Sequence, residues 1–235
     1  KAYAAGGVAI GDSANNGRST RNISTAIGAG STASGLGAVA IGTHNNNQTT
    51  ADSLNSVAIG NGAKATAWGA VALGAGSGVN DPGARATAQF ATALGNNAFA
   101  GAQNATAVGS QAIASNTSAT AVGTSAVANE YNSTAMGNEA KASGMNATAS
   151  GYQSRASGFS SIATGQGAIA SDQYAIAEGA TALANSESAI AIGNQAAARG
   201  MRSNAIGYNA QSTGLNAIAM GTTSIASNTS TIAIG

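Results

Sequence analysis

An apolar or Thr residue, an Ala, a second apolar residue and a Gly recur in that order along the whole chain. The tetrad is usually Val/Thr/Ile–Ala–Ile/Val/Leu/Met–Gly. It ends at Gly11, Gly28, Gly42, Gly60, Gly74, Gly95, Gly109, Gly123, Gly137, Gly151, Gly165, Gly179, Gly193, Gly207, Gly221 and Gly235. From Gly95 onward all ten intervals are 14 residues, and the earlier ones are 17, 14, 18, 14 and 21. The longer intervals place insertions of 3, 4 and 7 residues near 12–24, 43–55 and 75–91. A fixed period of this length marks a stacked array, in which each copy packs only on its neighbours.

A second pattern lies inside each unit. Ala returns three and five residues past the signature Gly, as at Ala98 and Ala100 or Ala112 and Ala114. Seven past it stands Gly, Asn or Asp in many units: Gly144, Gly158, Asp172, Gly200, Gly214, Asn116 and Asn228. These residue types tolerate positive φ and predict a turn. Each unit therefore reads strand, Gly turn, strand, second turn, with the period of 2 that belongs to β-structure. Fourteen residues cannot hold a helix and two turns. The expected fold is all-β, a parallel β-solenoid of about sixteen mostly 14-residue coils filling residues 1–235 as a single repeat domain. Stacking at ~4.8 Å per coil predicts a rod on the order of 70 Å long.

Alternation also assigns the faces. Small residues two and four positions before the signature Gly, such as Ala105 and Ala107, meet the Ala of the opposite strand in a narrow interior. The larger residues one and three positions before it then point out of the coil, among them Val57 and Ile59 or Ile190 and Ile192. Burying each is worth roughly 1.5–3 kcal/mol, and a continuous apolar stripe normally marks an interface. The chain is expected to self-associate along this stripe. Gly60, Gly95, Gly109, Gly123 and Gly137 represent the structural turn.

Composition narrows the function. Aromatic residues make up 4% and charged residues 7%, with 33 Gly, one Pro and no Cys. A formal net charge of +1 gives no basis for nucleic-acid binding. Disulfides and thiolate metal sites are excluded. No apolar run reaches membrane-helix length and no signal peptide opens the chain. The sequence stops inside a repeat, and a fragment of a longer protein is expected, with any membrane anchor outside it.

The Ser56-Val57-Ala58-Ile59-Gly60 signature, with its 14-residue spacing, resembles the YadA-like head of trimeric autotransporter adhesins. The resemblance covers essentially the whole chain. It implies a left-handed parallel β-roll of three intertwined chains, shown on a Gram-negative outer surface. It also implies binding to host matrix proteins (collagen, fibronectin or laminin) or to a cell receptor. A passive spacer rod that only projects another domain is the alternative. No enzymatic activity, cofactor or metal is expected.

Candidate chemistry is sparse. His44, the only histidine, lacks the partners of a triad or zinc site. Gly74-Ala75-Gly76-Ser77-Gly78 has no Lys-Ser/Thr after it and reads as a Gly-rich turn. The Asn-x-Ser/Thr triplets follow from composition. Lys64, Lys141 and Arg155 share the position four past the signature Gly and should face solvent. They form either a solubilising face or a basic ladder for an acidic or extended ligand. Arg18 and Arg21 in the first insertion, with Asp81 and Arg85 in the third, are further ligand-binding candidates, because loops on a regular scaffold often carry recognition. Ser150, Thr164 and Glu178 fill the position just before the signature Gly in three consecutive coils. They predict a polar, hydrated layer on the axis of the assembly.

Overall fold

The computed structural model describes residues 7–16, 23–43, 48–76 and 82–235. All regular structure among them is β-strand, assembled as a parallel β-solenoid of about 15 turns. Three-residue strands carry the signature, and two-residue strands follow them around the coil. The chain divides into two compact units, Lys1–Ser125 and Ala126–Gly235.

In Lys1–Ser125 the three-residue strands run from Val8–Ile10 to Thr120–Val122 and pair in parallel, each with the next. Register follows the signature: Val39, Val57 and Val71 are neighbours, as are Ala40, Ala58 and Ala72. The two-residue strands from Thr32–Ala33 to Ile113–Ala114 form a second parallel sheet. Ala126–Gly235 repeats this plan, with three-residue strands from Thr134–Met136 to Ile232–Ile234 and two-residue strands from Val127–Ala128 to Ile225–Ala226.

The interior sits between the two sheets and accepts almost nothing larger than a methyl group. Every buried hydrophobic residue among the described ones is Ala, and nearly all are fully inaccessible. Both expected Ala pairs point inward, Ala105 and Ala107 from one strand and Ala98 and Ala100 from the other. Several positions hold Ser instead, and its hydroxyl finds a backbone acceptor. Ser133 Oγ donates to the Glu130 carbonyl at 2.6 Å, and Ser161 Oγ to the Gly158 carbonyl at 2.8 Å. Such bonds remove the cost of burying a hydroxyl.

Both corners of a regular coil are the same turn. At one, the Ala112 N–H donates to the Gly109 carbonyl at 3.3 Å; at the other, the Ala119 N–H donates to the Asn116 carbonyl at 3.1 Å. The left-handed residue is the third of each turn, Gln111 at φ 58° and Ser118 at φ 57°. This corrects the expected site of positive φ. It lies two and nine residues past the signature Gly, and the residue seven past only opens the second turn. Gly at that seventh position answers to space: a Cβ on Gly144 would stand 2.0 Å from the Gly158 carbonyl oxygen. The signature Gly meets both demands. Gly109 has φ +131°, and a Cβ there would lie 2.5 Å from the Gly123 oxygen of the next coil.

Phe90 and Tyr174 hold the left-handed position at φ 58° each, where other described coils have Gly, Asn, Ser or, at Arg202, Arg. A bulky side chain there costs roughly 1–2 kcal/mol. Arg18, Arg21, His44 and Asp81 lie outside the described residues. Arg85, expected in the third insertion, occupies the regular two-residue strand Arg85–Ala86, in register between Lys64 and Phe99.

Candidate functional site

The inward face is uniform, so recognition rests on what the coil turns outward. On the three-residue strands the first and third side chains point out, as the alternation requires. Val57 and Ile59 are half-buried, while Leu94, Met136 and Met220 are 44%, 43% and 43% exposed. Thr92, Thr106 and Thr120 stand in register in the first unit, and Thr134 and Thr148 in the second. At the first position Asn204 stands between Ile190 and Ile218, and the column of third residues is interrupted in one stretch. Ser150, Thr164 and Glu178 are in register with one another and with Met136 before them and Ile192 after them. Thr164 and Glu178 are exposed.

The two-residue strands turn their first side chain outward, exposed or half-buried in all but Ala197–Ala198, and here the chemistry varies. Lys64 and Arg85 are neighbours in the first unit. The Arg85 guanidinium lies 4.9 Å from the centre of the Phe99 ring, on the next coil. Its Nε is buried and has no hydrogen-bond partner among the described residues. In the second unit Lys141 and Arg155 are in register on adjacent coils, both exposed, between Val127 and Ile169. An acidic side chain stands close by in sequence, since Glu139 accepts a hydrogen bond from Gln153 Nε2 at 2.8 Å.

One corner carries rings. Trp68 and Phe90 meet at 5.0 Å between centroids with a 51° tilt, and Phe159 and Tyr174 at 5.6 Å with an 88° tilt. All four are exposed. Reading the strands alone misses them, because they sit five or six residues before the signature Gly, inside the turn. That fixed offset was the available signal.

A family model for the YadA head domain repeat (two copies) matches residues 24–45, 51–77, 82–98, 100–126, 114–140, 128–154, 156–182, 184–210 and 212–235. The chain belongs to the YadA head repeat family. Its adhesin-type head is similar to the crystal structure of the collagen-binding domain of Yersinia adhesin YadA. The identity is 23% and the TM-score 0.28, with 63% of this chain and 67% of that one covered. No curated protein matches the chain.

The YadA-type head brings two sets of the sequence-predicted residues together. Lys141 and Arg155 form a basic step, and Ser150, Thr164 and Glu178 a polar step on the other sheet. Arg85 belongs with Lys64 and Phe99. Gly60, Gly95, Gly109 and Gly137 open their turns at φ 117° to 131°. Gly123 does so at φ 132°. Among the described residues, no three His, Asp or Glu side chains converge where a metal ion could be held. The chemistry on offer is contact through apolar stripes, exposed cations and rings.

Proposed function

We propose that this head works as a homotrimer on a Gram-negative cell surface, attaching the bacterium to a host matrix protein or cell receptor without catalysing a reaction. The observation that carries the reading is the pairing of a thin interior of Ala, with some Ser, with an outward column of Val, Ile, Leu and Met. A buried Ala methyl contributes about 0.8 kcal/mol, against roughly 1.5–3 for each larger side chain left outside. Stability therefore has to come from covering that column, and further copies of the same strand supply a matching surface.

The three-residue strands then face the axis, which leaves the two-residue strands and the insertions for the host. Collagen, fibronectin and laminin are the matrix candidates. Lys141, Arg155 and Arg85 are the described residues proposed to contact the ligand, together with Arg18, Arg21 and Asp81 of the insertions. Sedimentation equilibrium of the purified chain should give three copies at micromolar concentration, and a folded monomer would remove the argument. The trimer is then tested on immobilised collagen, fibronectin and laminin, with Lys141→Ala/Arg155→Ala as the comparison. Saturable binding that the double variant weakens supports the adhesive reading. A trimer that binds none of them, nor host cells, is a spacer.

A further inference from the structure

The exposed ring pairs carry more than their packing explains. The left-handed conformation recurs at the turns of the coil, and among the described residues Phe90 and Tyr174 are the two aromatic residues that take it. The coil enforces that φ at its turns, so what sets these two positions apart is the bulky ring and not the backbone. In both cases the strained ring lands against a ring of the preceding coil, on Trp68 or on Phe159. Gly69 makes room for the first pair, since a Cβ there would stand 2.8 Å from Phe90 Cδ1.

The arrangement occurs twice, once in each compact unit. A ring (Trp68, Phe159) is followed one coil later by Gln and the strained ring (Gln89-Phe90, Gln173-Tyr174). One coil further on, the position of that Gln holds Gln103 or Glu187. Gln103 Nε2 reaches Gln89 Oε1 at 3.4 Å, which sets the two amides side by side, with Gln89 directly before Phe90 in the chain. Each unit thus has an exposed ring pair, with planar side chains one residue before the second ring and one coil beyond it that can accept hydrogen bonds and, in the Gln residues, donate them.

We infer that the pairs Trp68–Phe90 and Phe159–Tyr174 are two platforms for a neutral saccharide, its C–H face stacked on one ring of each pair and its hydroxyls bonded by Gln89 and Gln103 or by Gln173 and Glu187. The electron-rich ring face attracts the slightly positive C–H groups of a pyranose. The polar border matches hydroxyl groups, and no Lys or Arg belongs to either platform. An extended peptide needs a free strand edge or a groove lined by aromatics. The apex of a turn provides neither. A second copy of the chain would bury the bordering amides and the Glu187 carboxylate without replacing their water.

The platforms are separate from the matrix-binding residues proposed above and do not depend on them. Trp68 is the only tryptophan in the chain, so its fluorescence reports on the first platform alone. The intact assembly is screened on an array of neutral hexose and N-acetylhexosamine oligosaccharides. The strongest binder is then titrated while Trp68 emission is followed. The expected results are a solvent-exposed emission maximum in the free protein and a saturable change on titration. Phe90→Asn with Tyr174→Asn should weaken array binding at least tenfold, leave the melting temperature unchanged or raised, and keep any binding to matrix proteins. The inference is overturned by an array without binders, by emission showing Trp68 already covered, or by a double variant that melts early or binds saccharide as before.

Discussion

The two strands of a coil share an inner face and differ completely on the outer one. Inward, Ala58 of a three-residue strand and Ala65 of a two-residue strand are equally inaccessible, and the residue type is dictated. Outward, the first strand is held to Val, Ile, Leu, Met or Thr almost throughout, while the second admits Lys64, Arg85, Phe99, Ile113, Gln211 and Ile225 alike. A position that tolerates Lys, Phe and Gln in turn has no fixed packing partner. A position that takes apolar residues coil after coil has one. Under the proposed trimer, the difference assigns the covered face to the first strand and the freely varying surface, where recognition can diversify, to the second.

The shared inner architecture should be the most fragile part. Gly109→Ala puts a Cβ 2.5 Å from the Gly123 oxygen, in a backbone conformation at φ +131° that L side chains avoid. A loss of about 3 kcal/mol is expected, read as a large fall in melting temperature. If the variant melts like the parent, the coils do not stack as closely as their register requires.

The next test separates the outer faces directly. Ile59→Asp places a charge in the apolar column, whereas Lys64→Asp changes the other strand five residues later. An unpaired charge in a covered interface costs several kcal/mol. An exposed substitution stays within about 0.5 kcal/mol. Ile59→Asp should therefore dissociate and destabilise the assembly, and Lys64→Asp should do neither. Equal effects would mean that the two faces are assigned wrongly.

Glu178 sharpens the comparison at the irregular stretch of the third-residue column. Thr164 and Ile192 flank it in register, so Ile at 178 would extend the column. Under axial packing Glu178→Ile should stabilise the assembly by about 1 kcal/mol per chain, seen in thermal melting. A loss of stability instead would show that the three carboxylates are held by a bound cation or by basic neighbours. No change would place Glu178 in solvent.

Much of this was legible before any coordinates. Ala at fixed offsets gave the strands, their inner faces and the outward Val57–Ile59 type of column, because a period of 2 between regular turns leaves one arrangement of small and large residues. The turns were only half legible. Gly serves both positive φ and close approach, so Gly144 looked like a left-handed residue when it is a spatial one, and Gln111 and Ser118 hid the real positions. Residues such as Phe90 and Tyr174 run against local preference and could not be placed by propensity. Within the insertions, Arg85 returned to the regular ladder because the strand after the extra residues resumes the same register.

The smallest test asks whether the freely varying side is indifferent to charge as well as to size. Asp52 directly follows the two-residue strand Thr50–Ala51, and its backbone N–H donates to the Ala65 carbonyl at 3.4 Å. Partial burial pushes its carboxyl above the ordinary 3.8, and a hydrogen bond from its own backbone holds the rise back. A raised carboxyl pKa means that the ionised form is the disfavoured one in the folded chain. The native state then takes up its proton before the unfolded state does. Stability should rise as pH falls through the raised value, and the gain is complete below 3.8. Asp52→Asn removes that dependence. At neutral pH the variant should match the parent or exceed it by no more than about 0.5 kcal/mol, and its advantage should vanish in acid. Thermal melts of both proteins at pH 7 and pH 3 decide the point. A variant clearly less stable at pH 7 would show that the Asp52 carboxylate makes a contact the fold needs, and that this strand's surroundings are not as permissive as its outward residues imply.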